Sequence, residues 1–354
     1  MRMLGAAETS PSAFAKRLKT RINLISFCKG DYPPLDFLDL AWHTHSTEWG
    51  DSPMARRPKP IHQLTVADFE RMFPDEPACC AYLVGRRWPN GVKCPRCGAD
   101  VSELKGNPWH WQCYNCAPQT SYRFSHIAGT IFENTNKPLR DWFKVVHLML
   151  TSKKGMSALQ IMRYMGFGSY KTAWLMCHKV RTALVEDIKQ LGGIVEVDET
   201  YVGGKDKNRH WDKRSGTRGR GYDRLKTPVV GAVKRKGNVV ARVVLGVDDT
   251  TLESFVKEAV SKRVSLLCTD AYPAYNRLGY NYNHGVVDHK AGQHVVGAVH
   301  TNTIEGFWSI LKRGIMGSYH KVSRKYLPLY VAEFQFRYNN RANADIFGTA
   351  ISGC

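Results

Sequence analysis

With 354 residues, the chain is long enough for two or three domains, and its 43% apolar content excludes wholesale disorder. Its 51 Lys and Arg residues outnumber its 31 Asp and Glu residues, giving a formal charge of +20 that indicates a polyanionic partner, most simply nucleic acid. No stretch approaches the ~18 uninterrupted apolar residues of a membrane span, so a membrane partner is disfavoured.

The first predicted unit, residues 1–60, is an irregular extension, because it shows little periodicity and contains proline-rich stretches such as "DYPPL". Residues 1–53 carry no motif that can be tied to chemistry, and Met54 stands just before the motifs begin. We expect residues 1–53 to be dispensable; the alternative is an arm that wraps DNA or a partner subunit. Beyond them, "LTVADFERMF" predicts a short helix with Thr65 as its N-cap.

Residues 61–130 are predicted to form a small β-rich zinc ribbon. Two C-x2-C pairs, separated by fifteen residues, have the spacing of a site with four thiolates. The four candidate ligands are Cys94, Cys97, Cys113 and Cys116. A redox C-x2-C is the alternative, but it needs neither the second pair nor this spacing. Four protein ligands leave no open position on the metal, so we expect the Zn²⁺ to be structural.

Residues 131–190 change to a helical pattern. Two apolar periodic stretches are separated by Gly166 and Gly168, with Ser157 as a candidate cap for the first and Tyr170–Glu186 as the second helix. This arrangement predicts a DNA-binding region like a helix-turn-helix. The alternative is a pair of helices that only packs against the rest of the protein.

The order of predicted strands and helices in residues 191–354 indicates an α/β domain, with a mixed sheet covered by helices. The predicted strands cover residues 193–200, 227–235, 239–247, 264–270 and 284–289, and the predicted helices cover residues 251–260, 303–315 and 326–340.

Three carboxylates in this domain carry candidate chemistry. Asp198 and Asp270 each stand at the predicted end of an apolar strand, and ligand sites in open α/β sheets collect at such ends. Glu305 lies on a predicted helix, with Lys312 two turns further along the same face. Carboxylate oxygens suit Mg²⁺ or Mn²⁺, and two such ions could promote phosphoryl transfer on a polyanion. A solvated strand end and a surface salt bridge are the plainer alternatives.

The motifs "VEVDETYVGGK", "TDAYPAY", "HTNTIEGFWSILKRG" and "EFQFRYNNR" resemble the ISXO-type transposases of bacterial insertion sequences. The resemblance covers roughly residues 62–350. It implies an N-terminal zinc ribbon followed by a DDE catalytic domain with a ribonuclease-H-like fold. It also implies that Asp198, Asp270 and Glu305 form the DDE triad and that Lys312 is the basic residue following it. Asn302, one helical turn before Glu305, is a weaker candidate for the third position.

The resulting interpretation is a DNA transposase that binds terminal inverted repeats and catalyses metal-dependent phosphodiester hydrolysis and strand transfer. We expect a homo-oligomer on DNA in the bacterial cytoplasm, associated with the nucleoid. One alternative is a zinc-ribbon regulator whose α/β domain does not catalyse; the other is a ribonuclease-H-like nuclease without strand transfer.

A basic loop and several isolated residues complete the sequence predictions. Residues 203–226 hold nine Lys or Arg against three Asp, which predicts a contact with the DNA backbone. The candidate DNA-binding residues in it are Lys213, Arg214, Arg218 and Arg220. The histidines at 284, 289, 294 and 300 could form a metal cluster, but their irregular spacing favours ordinary polar roles or positions near DNA. Phe307 and Trp308 are predicted to be core residues, with stacking on a flipped base as the alternative.

Overall fold

The structure is a computed structural model, and it describes residues 64–116, 122–204, 210–213 and 226–354. The predicted N-terminal extension lies outside the described residues. So do Arg214, Arg218 and Arg220 of the basic loop, whereas Lys213 lies within them at the end of a short 3-10 turn, Trp211–Lys213.

The N-terminal half combines short helices with a small antiparallel sheet. Its elements are α1 (Val66–Met72), α2 (Glu76–Arg87), β1 (Ser102–Glu103), β2 (His110–Cys113), β3 (Tyr122–Ser125), α3 (Leu139–Thr151), α4 (Ala158–Met165) and α5 (Tyr170–Ala183). Thr65 caps α1 as predicted, because its Oγ1 accepts a hydrogen bond from the Asp68 amide at 3.1 Å. Helix α2 was not predicted; Asp75 caps it, and it buries Cys79 and Leu83.

Helices α4 and α5 form the predicted pair. Ser157 caps α4 by accepting a hydrogen bond from the Gln160 amide at 3.2 Å, and Gly166 ends it in the left-handed conformation at φ 65°. The predicted extension of α5 to Glu186 is wrong, because the helix ends at Ala183. Beyond the end of the helix, the Glu186 carboxylate accepts hydrogen bonds from two asparagine side chains of the C-terminal region.

The C-terminal half is built on a five-stranded mixed sheet. Its strands and helices are β4 (Ile194–Val202), β5 (Thr227–Lys234), β6 (Val239–Val243), α6 (Asp249–Ala259), β7 (Leu266–Asp270), β8 (His284–Val287), α7 (Asn302–Gly314), α8 (Leu327–Asn339) and α9 (Ile346–Ser352). The strand order is β6-β5-β4-β7-β8; β5 and β6 run antiparallel to their neighbours, and β7 and β8 run parallel to β4. The predicted mixed α/β sheet is confirmed.

Helices cover both faces of this sheet. Val195 and Val197 of β4 pack with α6 on one face, while α7 and α8 pack on the other. The alternation of side chains along a strand therefore turns Glu196 and Asp198 toward α7. Gly231 of β5, opposite Asp198, allows this close approach, since a Cβ there would lie 2.7 Å from the Trp308 ring.

Helix α8 protects the exposed edge of the sheet at β6. The Asn339 side chain accepts a hydrogen bond from the Val239 amide at 2.7 Å and donates to the Val239 carbonyl at 3.0 Å. The Gln335 side chain accepts from the Ala241 amide at 2.8 Å. The side-chain amides of Asn339 and Gln335 thus bind backbone groups of β6 that another strand could otherwise pair with. This prevents a second sheet from associating with the edge of this one.

The two halves are joined through buried contacts. Helix α9 and Cys354 belong to the apolar core of the N-terminal helices rather than to the sheet. Arg181 of α5 donates a hydrogen bond to Glu333 of α8 at 2.7 Å, and both side chains are almost fully buried. None of the helices in the described ranges is long and apolar enough to cross a membrane.

Candidate active site and zinc site

The four predicted cysteine ligands converge on one point. Their Sγ atoms all lie within 4.8 Å of one another, with Cys94 and Cys116 at 3.7 Å and Cys97 and Cys113 at 3.6 Å. A tetrahedron of Zn–S bonds of about 2.3 Å gives sulfur separations of about 3.8 Å. The pairs therefore have the separation that zinc requires, and the chemistry of four thiolates fits a closed structural site.

The first cysteine pair sits on a tight turn that the sequence predicts. The Gly98 amide donates to the Cys94 carbonyl at 2.9 Å, and Gly98 adopts φ 74°, a conformation that favours glycine. In the second pair, Cys113 is the last residue of β2, which pairs with β3, and Cys116 lies in the turn after it. In the part of the chain that the structure describes, these cysteines are the one group of Cys, His, Asp and Glu side chains whose ligand atoms cluster so closely.

The sheet brings Asp198 and Asp270 side by side. The parallel pairing of β4 with β7 places Glu196 opposite Cys268, and the same register carried two residues further sets Asp198 level with Asp270. Asp270 ends β7 as predicted, but the prediction that Asp198 ends its strand is wrong. β4 continues to Val202 because its antiparallel pairing with β5 extends beyond the point where its pairing with β7 stops.

Helix α7 supplies the third carboxylate. Glu305 lies in its first turn, and its side chain is 52% exposed, so a ligand can reach it. The Thr301 hydroxyl donates to Glu305 Oε1 at 3.1 Å, and His289 Nε2 lies 3.6 Å from the same oxygen. Asn302, the weaker candidate for this position, is exposed and does not line the cleft described below.

Glu196 is the residue that positions this helix, and it was not among the predicted site residues. It is fully buried, and one of its oxygens accepts hydrogen bonds from the Thr303 and Ile304 amides at 2.7 Å and 3.1 Å. The other oxygen accepts from Thr303 Oγ1 at 2.8 Å and from Arg235 Nε at 2.7 Å. A carboxylate at a helix N-terminus satisfies free amides and interacts favourably with the helix dipole. Glu196 thereby fixes the helix that carries Glu305 to the strand that carries Asp198.

Asp198 lies in a crowded, half-buried position. Trp308 Nε1 donates to its Oδ2 at 3.0 Å, which holds the carboxylate in one orientation. Burial and then repulsion from nearby carboxylates raise the pKa of Asp198 to about 8. Those carboxylates belong to Glu199, Asp270 and Glu305. A group of acids that repel one another in a cleft is typical of a cation site.

Glu199 is a fourth acid that sequence reasoning did not assign. Its carboxylate accepts a hydrogen bond from the buried Tyr275 hydroxyl at 2.8 Å. Burial raises its pKa as well. The sequence signal for Glu199 was its position in "VDET", directly after Asp198. However, successive side chains of a strand point to opposite faces, so Glu199 is expected to point away from Asp198.

The carboxylates and several cations line one cleft of about 730 Å³. The acidic residues in the lining are Asp198, Glu199 and Glu305, and the basic residues are Lys154, Lys312 and Arg313. Asp270 lies next to Asp198 on β7 but is not part of the lining. The oxygens of Asp198, Asp270 and Glu305 do not all lie within 4.8 Å of one another, so these carboxylates are spaced more widely than the cysteines.

The other predicted residues have simpler surroundings. Phe307 and Trp308 are buried, which confirms the core interpretation. His284 contacts the Thr269 hydroxyl at 2.7 Å and His300 lies 3.2 Å from Glu196, whereas His289 and His294 contact each other at 3.3 Å. Among the described residues, these histidines do not form a group of three or more converging metal ligands. Lys213 ends the 3-10 turn Trp211–Lys213, away in sequence from the elements that form the cleft.

Comparison with known proteins gives matches to two domain families and to one relative described below. Residues 74–119 match the model of the transposase zinc-ribbon domain, and residues 190–339 match that of the ISXO2-like transposase domain. The chain is 30% identical over 276 residues to the "Uncharacterized protein in transposable element ISH50" of Halobacterium salinarum, which spans 75% of this chain and 92% of that relative. No solved structure matches the chain.

These matches define the class as insertion-sequence transposases with an N-terminal zinc ribbon. The chain belongs to the ISXO2-like transposase family. The ribbon match and the four converging thiols together support a structural Zn²⁺.

Replacing a zinc ligand tests the ribbon. We expect Cys94→Ser and Cys113→Ser each to lose one zinc per chain and to unfold the module, because metal binding there is coupled to folding. Elemental analysis of the pure protein measures the zinc. The control is Cys80→Ala, which removes a thiol that contacts His126 at 3.3 Å and should keep the zinc. Wild-type protein without zinc, or a ligand variant that retains it fully, would contradict the assignment.

The raised pKa of Asp198 predicts how stability depends on pH. Because the folded-state value of about 8 exceeds the ordinary 3.8, Asp198 contributes stability at low pH that is lost as pH rises toward 8. In the absence of divalent ions, Asp198→Asn should therefore be more stable than wild type at pH 8, by on the order of 1–2 kcal/mol, and the difference should shrink toward pH 5.

Denaturant unfolding with and without Mg²⁺ measures this effect. Added Mg²⁺ should stabilise wild type at pH 8 and have little effect on Asp198→Asn. Asp248→Asn is the control of opposite sign, because hydrogen bonds from Thr250 and Thr251 lower the pKa of Asp248 to about 2. That variant should lose stability at pH 8 with or without Mg²⁺. An Asp198→Asn variant less stable than wild type at pH 8 would refute the prediction.

Proposed function

We propose that this protein is a DNA transposase that cuts the ends of its element and joins them to target DNA, using the carboxylates of the cleft as a metal-dependent centre. The observation that carries the proposal is the placement of Asp198, Asp270 and Glu305. They come from two adjacent parallel strands and a docked helix, within a domain that matches a transposase family. The cations at the rim of the same cleft complement a polyanionic substrate.

The donor set fits Mg²⁺ or Mn²⁺. The three carboxylates offer the hard oxygen ligands that these ions prefer. Burial, and then repulsion from Glu199, Asp270 and Glu305, raises the pKa of Asp198. When bound, such ions would stabilise charge on the transferring phosphate and on the attacking and leaving oxygens. Asp198, Asp270 and Glu305 would hold the ions, while Trp308 keeps Asp198 oriented and Glu196 keeps Glu305 in place.

The first chemical step is hydrolysis of a phosphodiester at the element end. A water oxygen forms a bond to phosphorus, the bond from phosphorus to the 3′ oxygen breaks, and the leaving oxygen takes a proton to become a 3′ hydroxyl. In the second step the oxygen of that hydroxyl loses its proton and forms a bond to a phosphorus of target DNA in the same cleft. The bond from that phosphorus to the 3′ oxygen of the target strand breaks, and this leaving oxygen takes a proton to become a 3′ hydroxyl. Neither step needs a covalent protein–DNA intermediate, so no serine or tyrosine nucleophile is required. Lys312, two turns from Glu305 on the same helix, would contact a phosphate.

Recognition of the terminal inverted repeats is assigned to the N-terminal half. In helix α5 the C-terminal part is buried, whereas Tyr170 and Leu175 are 47% and 43% exposed. Recognition helices contact base edges with their N-terminal residues, which is the part of α5 left open. The zinc ribbon and Lys213 would add contacts with the DNA backbone, together with Arg214, Arg218 and Arg220 outside the described residues.

Three finer features of the proposal rest on the family resemblance and the charge of the chain. The mixed sheet with its central carboxylates supports a ribonuclease-H-like fold for the catalytic domain. Joining two element ends in one reaction favours a homo-oligomer on DNA. A protein with a formal charge of +20 that acts on DNA would associate with the bacterial nucleoid in the cytoplasm.

Conservative replacement of the triad tests the proposal. We expect Asp198→Asn, Asp270→Asn and Glu305→Gln each to lower Mg²⁺-dependent end cleavage by about 10³-fold or more, as removal of an essential catalytic group does. Binding to an end-containing duplex should change little, because these residues are not recognition residues. Cleavage and strand transfer are measured on labelled duplexes ending in the element's own inverted repeats.

The matched control is Asn302→Ala, which changes an exposed residue of the same helix outside the cleft. It should keep near-wild-type cleavage. A triad variant with near-wild-type strand transfer would remove that residue from the centre. Cleavage without strand transfer in the wild type would identify a nuclease, and specific binding without cleavage under any divalent metal would identify a regulator.

A further inference from the structure

The loop between α3 and α4, residues 152–157, reaches the rim of the active-site cleft. Most of the cleft lining comes from β4, α7 and the π-helical turn Ile315–Tyr319, all in the C-terminal half. Lys154 is the exception, because it belongs to the loop that leads into α4 and α5. An exposed lysine of the predicted DNA-recognition half thus faces the carboxylates of the catalytic half.

This loop is held firmly in place. Gly155 adopts φ 80°, and a Cβ there would lie 1.9 Å from the Tyr319 hydroxyl oxygen, so the loop backbone packs directly on that side chain. A Cβ on Gly314 would likewise lie 2.8 Å from the Lys154 carbonyl oxygen. The Arg337 guanidinium donates a hydrogen bond to the Ser152 carbonyl. Close backbone approach at two glycines and a charged hydrogen bond fix the position from which Lys154 extends.

The charges around Lys154 suit a phosphate. Lys154, Lys312 and Arg313 line the cleft together, and no ion pair joins any of them to an acid within the described residues. Three like charges would repel one another in the free protein, and a phosphodiester between them would relieve that repulsion. The acids Asp198, Glu199 and Glu305 lie in the same cleft and would hold cations rather than DNA.

We propose that Lys154 binds a backbone phosphate of the DNA strand that occupies the active site. The inference rests on the proposed function and adds a residue from outside the catalytic domain to its substrate-binding surface. Because Ser157 at the end of the same loop caps α4, the loop links this phosphate contact to the helix pair that is assigned to end recognition. DNA held by that pair would then be aligned with the cleft of the same chain.

Paired lysine variants test the role of Lys154. Lys153 is its exposed neighbour and does not line the cleft, so Lys153→Ala removes the same charge from the same loop without touching the site. We expect Lys154→Ala to lower kcat/KM for end cleavage by about 10-fold or more, mainly by raising KM, whereas Lys153→Ala stays within about twofold of wild type. Lys154→Arg should restore most of the loss, because it keeps the charge.

A second readout separates phosphate contact from a change of fold. The slope of log affinity against log salt for a short duplex carrying the cleavage site should fall by about one unit in Lys154→Ala and not in Lys153→Ala. Thermal unfolding should match wild type in both. If the wild type cleaves DNA but the two alanine variants have equal slopes and equal kcat/KM, the inference is overturned. Absence of cleavage in the wild type would instead overturn the proposed function.

Discussion

The candidate site depends on one buried interaction, the contact between the Glu196 carboxylate and the first turn of α7. Glu196 on β4 and Thr303 on α7 are 107 residues apart in sequence, yet the two elements must bring Asp198 and Glu305 to one cleft. The Glu196 carboxylate joins the two elements, because it accepts hydrogen bonds from the Thr303 and Ile304 amides, and Arg235 balances its charge. A buried carboxylate is stable only when it is paired with a positive charge and fully hydrogen-bonded, and the Glu196 carboxylate meets both conditions. The position of Glu305 relative to Asp198 follows from that contact.

A second pair of buried charges joins the C-terminal half to the N-terminal half. Burial opposes the charge of Arg181, but Glu333 beside it raises the pKa of the guanidinium, so the pair stays ionised. The Tyr319 hydroxyl also donates to Glu333, at 3.0 Å, and it is this tyrosine that packs on Gly155. Breaking such a pair leaves an uncompensated charge, so the two halves are held in a defined arrangement. This fixed arrangement places Lys154 of the N-terminal half in the lining of a cleft that is formed mainly by the C-terminal half.

Local signals in the sequence were sufficient for much of this structure. The four zinc ligands and the caps at Thr65 and Ser157 were predicted from spacings between nearby residues. In the structure the four thiols converge and both caps are present. Helix α2 was overlooked, although Asp75 followed by a proline within the first turn is an N-cap pattern. The length of β4 could not be predicted, because it depends on which neighbour continues to pair with it. Glu196 and Lys154 acquire their roles only from tertiary contacts, which no short pattern encodes.

Binding of Mn²⁺ to the full-length protein, followed by electron paramagnetic resonance, probes the link between Glu196 and the carboxylate centre. The comparison is between wild type and Glu196→Gln, which leaves Asp198, Asp270 and Glu305 unchanged. If the buried contact holds the centre together, wild type binds Mn²⁺ and Glu196→Gln binds it about 10–100-fold more weakly, with its zinc content unchanged. Equal Mn²⁺ affinity in the two proteins, or no Mn²⁺ binding by wild type, would contradict a metal centre organised by Glu196.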